Sequence, residues 1–267
     1  VTTAAASLPR IGWRPAPAWR SYRFELIKLL AQWPVRLGLL ACWLAPALLV
    51  ALISKQSSLP ADTVFGRWMS QTGWAGSLVV LSFSCSWILP LLTSLVAGDV
   101  FASEDRLGTW RHLLLAVRSP RQIFAAKAIA SLTIILLLVA GLAASGILGG
   151  LAAVGDRPLV GLDGHLLAPE QAAGAVLLAW TSTLAPTLAF AAVGLLGSVA
   201  FGRSPLGLVT PALLALVTQI AQLLPLPVIV RVALPSYAYI AWHGLFTAPA
   251  QTGPLLIGIA GSLVLAA

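Results

Sequence analysis

The sequence predicts an all-α, polytopic membrane protein with six transmembrane helices, an N-terminal interfacial helix and a cytoplasmic amphipathic helix. Three observations predict it. Of the 267 residues, 59% are apolar and 9% charged, with a mean hydropathy of +0.94. Soluble domains average about 25% charged residues, so a water-facing globule would lack the charge to cover itself. The apolar residues also fall into runs close to the ~20 residues that cross a bilayer. Finally, the 16 Lys and Arg gather near the ends of those runs instead of forming a separate basic domain. This pattern excludes a soluble enzyme, a disordered linker and, despite the net charge of +8, a nucleic-acid module.

Residues 1–33 read as a cytoplasmic tail followed by the interfacial helix. The tail carries Arg10, Arg14 and several prolines but no apolar signal-peptide core. Over 19–33, Trp19, Tyr22, Leu26, Leu29, Leu30 and Trp33 fall within about 100° at helical spacing, while Arg20, Glu25 and Lys28 point elsewhere. Aromatics on one face and cations on another suit a helix lying in the membrane interface. Pro34 breaks it and turns the chain inward. Residues 34–267 then form the six-span domain. Its spans are expected at 35–54, 75–98, 128–154, 172–200 (broken at Pro186), 206–224 and 250–267. Between the last two, residues 225–249 are punctuated by Pro225, Pro227, Pro235 and Pro249 and carry Tyr237, Tyr239, Trp242 and His243. They read as an outer re-entrant or interfacial segment.

Alternate loops give the orientation. Twelve basic residues, from Arg10 through the 99–127 segment to Arg203, fall on one side; Lys55, Arg67, Arg157 and Arg231 fall on the other. The positive-inside rule places the N-terminus and residues 99–127 in the cytoplasm. Within that cytoplasmic segment, Trp110, Leu113, Leu114 and Val117 repeat at i, i+3, i+4 and i+7, the spacing of a short amphipathic helix. Thr109 offers an N-cap hydroxyl, Glu104 and Asp105 would lie before the helix, and Ser119-Pro120 closes it. Asp99, at the inner end of span two, is read as a structural partner of Lys127 or Arg106, with a substrate role as the alternative.

This stretch resembles the membrane subunits, or permeases, of type-2 ATP-binding-cassette (ABC) exporters. The resemblance rests on Glu104, Gly108, Thr109, Trp110, Leu113, Leu114, Arg121 and Lys127, and on an interfacial helix bearing Glu25, Leu26 and Lys28. One departure is Val117-Arg118 where the family often has a proline, with Pro120 displaced. The resemblance implies a coupling helix, including Arg111, that sits in a cleft on a cytoplasmic ABC ATPase. It also implies a second permease, in a homodimer or heterodimer, and an interfacial helix represented by Trp19, Tyr22, Glu25 and Lys28. ATP and Mg would be bound by the partner ATPase. No phosphate-cradling G-x-x-x-x-G-K-[ST] loop is present around Lys28, Lys55 or Lys127, so this chain is expected to hold no cofactor of its own and to be no enzyme.

The remaining polar residues are read conservatively. Cys42 and Cys85 lie in apolar runs and offer neither a disulfide framework nor metal spacing. His112, His165 and His243 show no zinc-ligand spacing, so no metal is expected. Ser82, Ser84 and Ser86 in span two lack a neighbouring base and read as packing residues. No carboxylate sits centrally in a span, which disfavours a proton-driven pump. Thr183 and Thr187, and likewise Thr218 and Gln222, stand four apart; with Gln219 they are candidates for a substrate pathway or for plain interhelical bonds. The expected function is ATP-driven export of a hydrophobic or amphipathic substrate (drug, lipid or peptide) across a bacterial inner membrane. The chain would sit there as a multi-pass protein in contact with lipid. The alternatives are a non-transporting membrane scaffold or assembly factor and a lipid-acting membrane enzyme.

Overall fold

A computed structural model of the chain describes residues 18–56, 64–109, 119–201 and 206–267. They are overwhelmingly helical, in keeping with the apolar runs. Helix α1 (Ala18–Ala31) gives way to α2 (Trp33–Ile53) at Gln32. Pro34 falls in the first turn of α2, where its missing N–H costs nothing, so the break precedes it. The second span is one long path: α3 (Gly73–Phe83), a π-helical turn (Ser84–Ile88) and α4 (Leu89–Leu107). That wider turn lies just before Pro90, where a regular α-helix would clash with the proline ring. α5 (Pro120–Val154) follows, then α6 (Pro169–Ser182) and α7 (Leu184–Phe201). The break predicted at Pro186 falls at Thr183, which leaves Pro186 in the tolerant first turn of α7.

Four described helical stretches are long and apolar enough to cross a membrane: Trp33–Ile53, Gly73–Glu104, Pro120–Val154 and Pro169–Phe201. Two apolar helices are shorter, within α8 (Leu206–Leu223) and at α11 (Gly253–Ala266). At ~1.5 Å per residue a helix the length of α5 reaches about 52 Å. That exceeds the ~30 Å hydrocarbon core, so its ends stand outside it.

α5 is the central post, with α1, α2, α3 and α4 packed against it. Small residues permit the approach: a Cβ on Gly150 would lie 2.2 Å from the Gly73 carbonyl oxygen. The molecule has a near end, where α1, the close of α4 and the start of α5 meet, and a far end. At the far end Trp74 Nε1 donates to Asp156 (2.7 Å), and an antiparallel pair, β1 (Leu159–Val160) and β2 (Leu166–Leu167), forms a small hairpin. Residues 225–249 form α9 (Val228–Ala233), α10 (Pro235–Ala238) and a 3-10 turn (Ala241–Phe246). They fold back onto α7 and α8: Ser236 Oγ donates to the Thr218 carbonyl (2.9 Å), and the Tyr239 and Thr187 hydroxyls meet at 3.1 Å.

α1 differs in one respect from the amphipathic pattern. Trp19, Phe24, Ile27 and Trp33 are exposed, while Tyr22, Leu26, Leu29 and Leu30 pack on the core. Glu25, expected on the polar side, is buried. It sits at the edge of the packed stripe, three residues from Tyr22 and four from Leu29, and a cation waits opposite.

Candidate functional site: a buried charge cluster at the near end

Four charged side chains from three elements converge at the near end. Lys127, about two turns into α5, is 2% exposed, and its Nζ donates to Glu25 Oε2 of α1 and to Glu104 Oε1 of α4, both at 2.8 Å. Glu104 is 1% exposed and also accepts from Lys28 of α1 and from the Thr109 hydroxyl. Two carboxylates face two ammoniums, so the cluster is formally neutral. Neutrality is required there, since an isolated ion moved from water into a protein interior costs several kcal/mol. Phe101 stacks on Phe124 at 5.5 Å, and its ring lies 6.0 Å from Lys127 Nζ. Lys127 thus meets Glu25 and Glu104; Arg106, the other partner expected for Asp99, has a side chain outside the described residues.

The backbone delivers Thr109 to this cluster. α4 ends with Gly108 in the left-handed region (φ 67°), and the Thr109 N–H returns to the Glu104 carbonyl at 3.1 Å. This six-to-one closure satisfies an end carbonyl and needs a residue that tolerates positive φ, which accounts for the glycine. The Thr109 hydroxyl donates backward to the Glu104 carboxylate; the helix that the sequence expects Thr109 to cap and Glu104 to precede lies outside the described residues.

Further bonds strap α1 to α5. Tyr22 Oη and Thr133 Oγ1 lie 3.1 Å apart, and Gln122 Nε2 donates to Ser21 Oγ at 3.2 Å. Arg36 Nε donates to the Leu30 carbonyl (2.6 Å) and closes the corner between α1 and α2. The ends of α4 and α5 that flank the predicted coupling helix are therefore tied both to each other and to α1. Arg121 is exposed in the first turn of α5, and Trp19 is exposed on α1. Trp110, Arg111, Leu113 and Leu114 lie outside the described residues.

Of the residues the sequence singled out, Tyr22, Glu25, Lys28, Glu104, Gly108 and Thr109 meet here. Lys127, read from the sequence as a resemblance residue and as a partner for Asp99, is the hub. Its signal was a lone lysine at the start of an otherwise apolar run, with a glutamate on the edge of the α1 stripe.

The pathway candidates lie elsewhere, and none of them lines a cavity described among these residues. Thr183 Oγ1 bonds the Trp180 carbonyl (2.7 Å) at the α6–α7 break, and the Thr187 N–H returns to the Thr183 carbonyl (3.1 Å), which keeps the two residues one helical turn apart. Thr218 Oγ1 donates to Ala215 (3.1 Å), Gln222 Nε2 donates to the Arg231 carbonyl (3.1 Å), and Gln219 is half-buried. Thr187 and Gln222 hold the 225–249 segment in place. The largest cavity described, about 500 Å³, is wholly apolar and lies between α2 and the second span, lined by Cys42, Pro46, Val50, Val80, Phe83 and Leu92 among others.

No curated protein and no solved structure matches the chain. Residues 22–162, just over half of it, match the family described as ABC-2 family transporter protein. The match contains every member of the near-end cluster, from Glu25 to Lys127. The chain belongs to the ABC-2 family of transporter proteins, as a membrane permease subunit.

Proposed function

We propose that this chain is the permease subunit of an ATP-driven exporter that moves a hydrophobic or amphipathic substrate across a bacterial inner membrane. The family supplies the class: a transport subunit that associates with separate ABC ATPase subunits. In this reading the near end is cytoplasmic, α8 and α11 complete six spans, and two permeases pair over two ATPases that bind ATP and Mg. The 225–249 segment closes the far side of the pathway.

The observation that carries the mechanical part is the buried cluster. A segment docked on a moving ATPase transmits motion only if its two roots are held together. Here the root at Glu104–Thr109 and the root at Lys127 share charge-assisted hydrogen bonds, and Glu25 and Lys28 extend the same body to α1. ATPase closure then tilts α1, α4 and α5 together and opens or closes the path between permeases. Glu104→Lys, which places a third cation among Lys28 and Lys127, is expected to abolish this transmission.

The test is to tag the chain, extract it gently from native membranes and identify what co-purifies. A stoichiometric ABC ATPase, lost with Trp110→Ala or Arg111→Glu, is the expected result. Absence of any ATPase, under conditions that keep known ABC assemblies intact, overturns the reading and leaves a membrane scaffold.

A further inference from the structure

A cleft of about 220 Å³ opens between the second span and the 225–249 segment that folds back toward it. Ser82 of α3 and Ser86 of the π-helical turn line one wall, and Tyr239, Trp242 and His243 line the other. The floor is sealed, with Tyr239 and Trp242 fully buried, while the mouth is apolar, with Phe83 and Trp87 half exposed. From Gly73, where α3 begins at the far end, to Ser82 the span runs about 14 Å. The cleft therefore opens toward the hydrocarbon layer, where polar side chains that converge are the default sign of a binding site. A π-helical turn inside a helix is a frequent companion of such sites.

The hydroxyl and imidazole hydrogens that line this cleft are already engaged. Ser82 Oγ donates to the Leu78 carbonyl and Ser86 Oγ to the Ser82 carbonyl, each at 2.9 Å. His243 Nδ1 lies 2.7 Å from the Ile240 carbonyl, which only accepts, so the neutral ring carries its hydrogen there and Nε2 keeps a lone pair. Thr187 gives its hydrogen to the Thr183 carbonyl (2.7 Å), so the Tyr239 hydroxyl, 3.1 Å from Thr187, is the donor of that pair. The cleft thus presents lone pairs on two serine oxygens and one imidazole nitrogen, beside indole rings. No Lys, Arg, Asp or Glu is among its described lining residues.

This inventory selects an occupant. An anion would meet lone pairs and aromatic faces, all of them negative. A bare alkane would leave the lone pairs without donors. A primary ammonium brings three N–H donors and a positive charge that indole faces attract. An alkyl chain attached to it leaves past Phe83 and Trp87, which are already suited to lipid. We infer that this cleft binds the head of a single-chain alkylammonium amphiphile, with Ser82, Ser86 and His243 accepting from its N–H groups. The site belongs to this chain alone and goes beyond the exporter reading; either stands without the other.

The experiment measures saturable binding of tritiated decylammonium, at pH 7, to the purified full chain in phosphatidylcholine nanodiscs, with empty nanodiscs subtracted. One site per chain is expected. Unlabelled decyltrimethylammonium, decanol and decyl sulfate are expected to compete at least fivefold less well than unlabelled decylammonium, since each lacks the N–H donors, the charge or its sign. The double variant Ser82→Ala with Ser86→Ala is expected to bind tenfold more weakly or worse, and Ser82→Thr with Ser86→Thr to keep most of the affinity. His243→Phe, which retains a ring beside Trp242 without the lone pair, is expected to weaken binding about as much. Undiminished binding by the double alanine variant, or equal competition by decanol or decyl sulfate, overturns the site. Equal competition by decyltrimethylammonium overturns the role of the three acceptors. No ATPase enters the measurement, so its failure leaves the exporter reading untouched.

Discussion

Replacing Lys127 by Met removes the one cation that touches both buried glutamates while keeping the length of the side chain. Glu104 retains Lys28 and Thr109, but Glu25 loses its ion-pair partner. Breaking a buried pair from one side costs about 3–5 kcal/mol. At about 2–4 °C per kcal/mol for a chain of this size, the melting midpoint falls by roughly 6–20 °C. Thermal unfolding in nanodiscs, followed by tryptophan fluorescence at pH 7, measures it. Adding Glu25→Gln to Lys127→Met should recover at least ~2 kcal/mol of the loss, because an amide needs no counter-ion. A midpoint within 2 °C of the parent, or no recovery in the double variant, would refute the reasoning.

Three further outcomes are expected. Gly150→Val drives a Cβ to 2.2 Å from the Gly73 oxygen and should cost about 3 kcal/mol or more; Gly38→Ala, whose Cβ meets only Leu138 at 3.7 Å, should stay within about 0.5 kcal/mol of the parent in the same melts. Asp163 is held down to a pKa of about 2 by His165 and then by the Ala248 N–H. Its contribution is therefore present above the ordinary carboxylate pKa and is lost as pH falls toward 2; the protection of the Ala248 amide, relative to its intrinsic exchange rate at each pH, should fall across that window, and Asp163→Asn should remove the dependence. Gln222→Ala should cost about 0.6 kcal/mol and raise exchange in residues 231–236, with a fall in cargo-stimulated ATPase if α8 lines the path; unchanged exchange and ATPase would remove Gln222 from the account.

Much of this architecture was legible in the sequence because membrane helices declare themselves locally. Apolar run length located Trp33–Ile53, Gly73–Glu104, Pro120–Val154 and Pro169–Phe201 to within a few residues at most ends, the extension of α4 and α5 toward the near end apart. Prolines marked the breaks but not their positions: at both Pro34 and Pro186 the kink falls before the ring, since the first turn of a helix accepts it. The cluster was legible only in parts. Glu25, Lys28 and Glu104 drew attention through resemblance, yet periodicity placed Glu25 on the wrong side of α1. A stripe assigned from hydropathy alone excludes any carboxylate; only the cation more than a hundred positions away in α5 makes its burial tolerable. The backward turn of Thr109 was hidden for a similar reason, because a Gly-Thr pair is equally consistent with ending one helix and with starting the next.

The central claim is that α1, the end of α4 and the start of α5 move as one body when the partner ATPase closes. Two samples of the reconstituted assembly test it directly: one with spin labels at the exposed positions Arg23 and Arg121, diluted so that only distances within one chain are read, and one labelled at Arg121 alone, undiluted, to read the distance between paired permeases. The account predicts a 23–121 distance that is the same without nucleotide and with ATP trapped, while the distance between the Arg121 positions of paired permeases changes. A 23–121 distance that shifts by several ångströms on trapping, with the distance between permeases fixed, would contradict it.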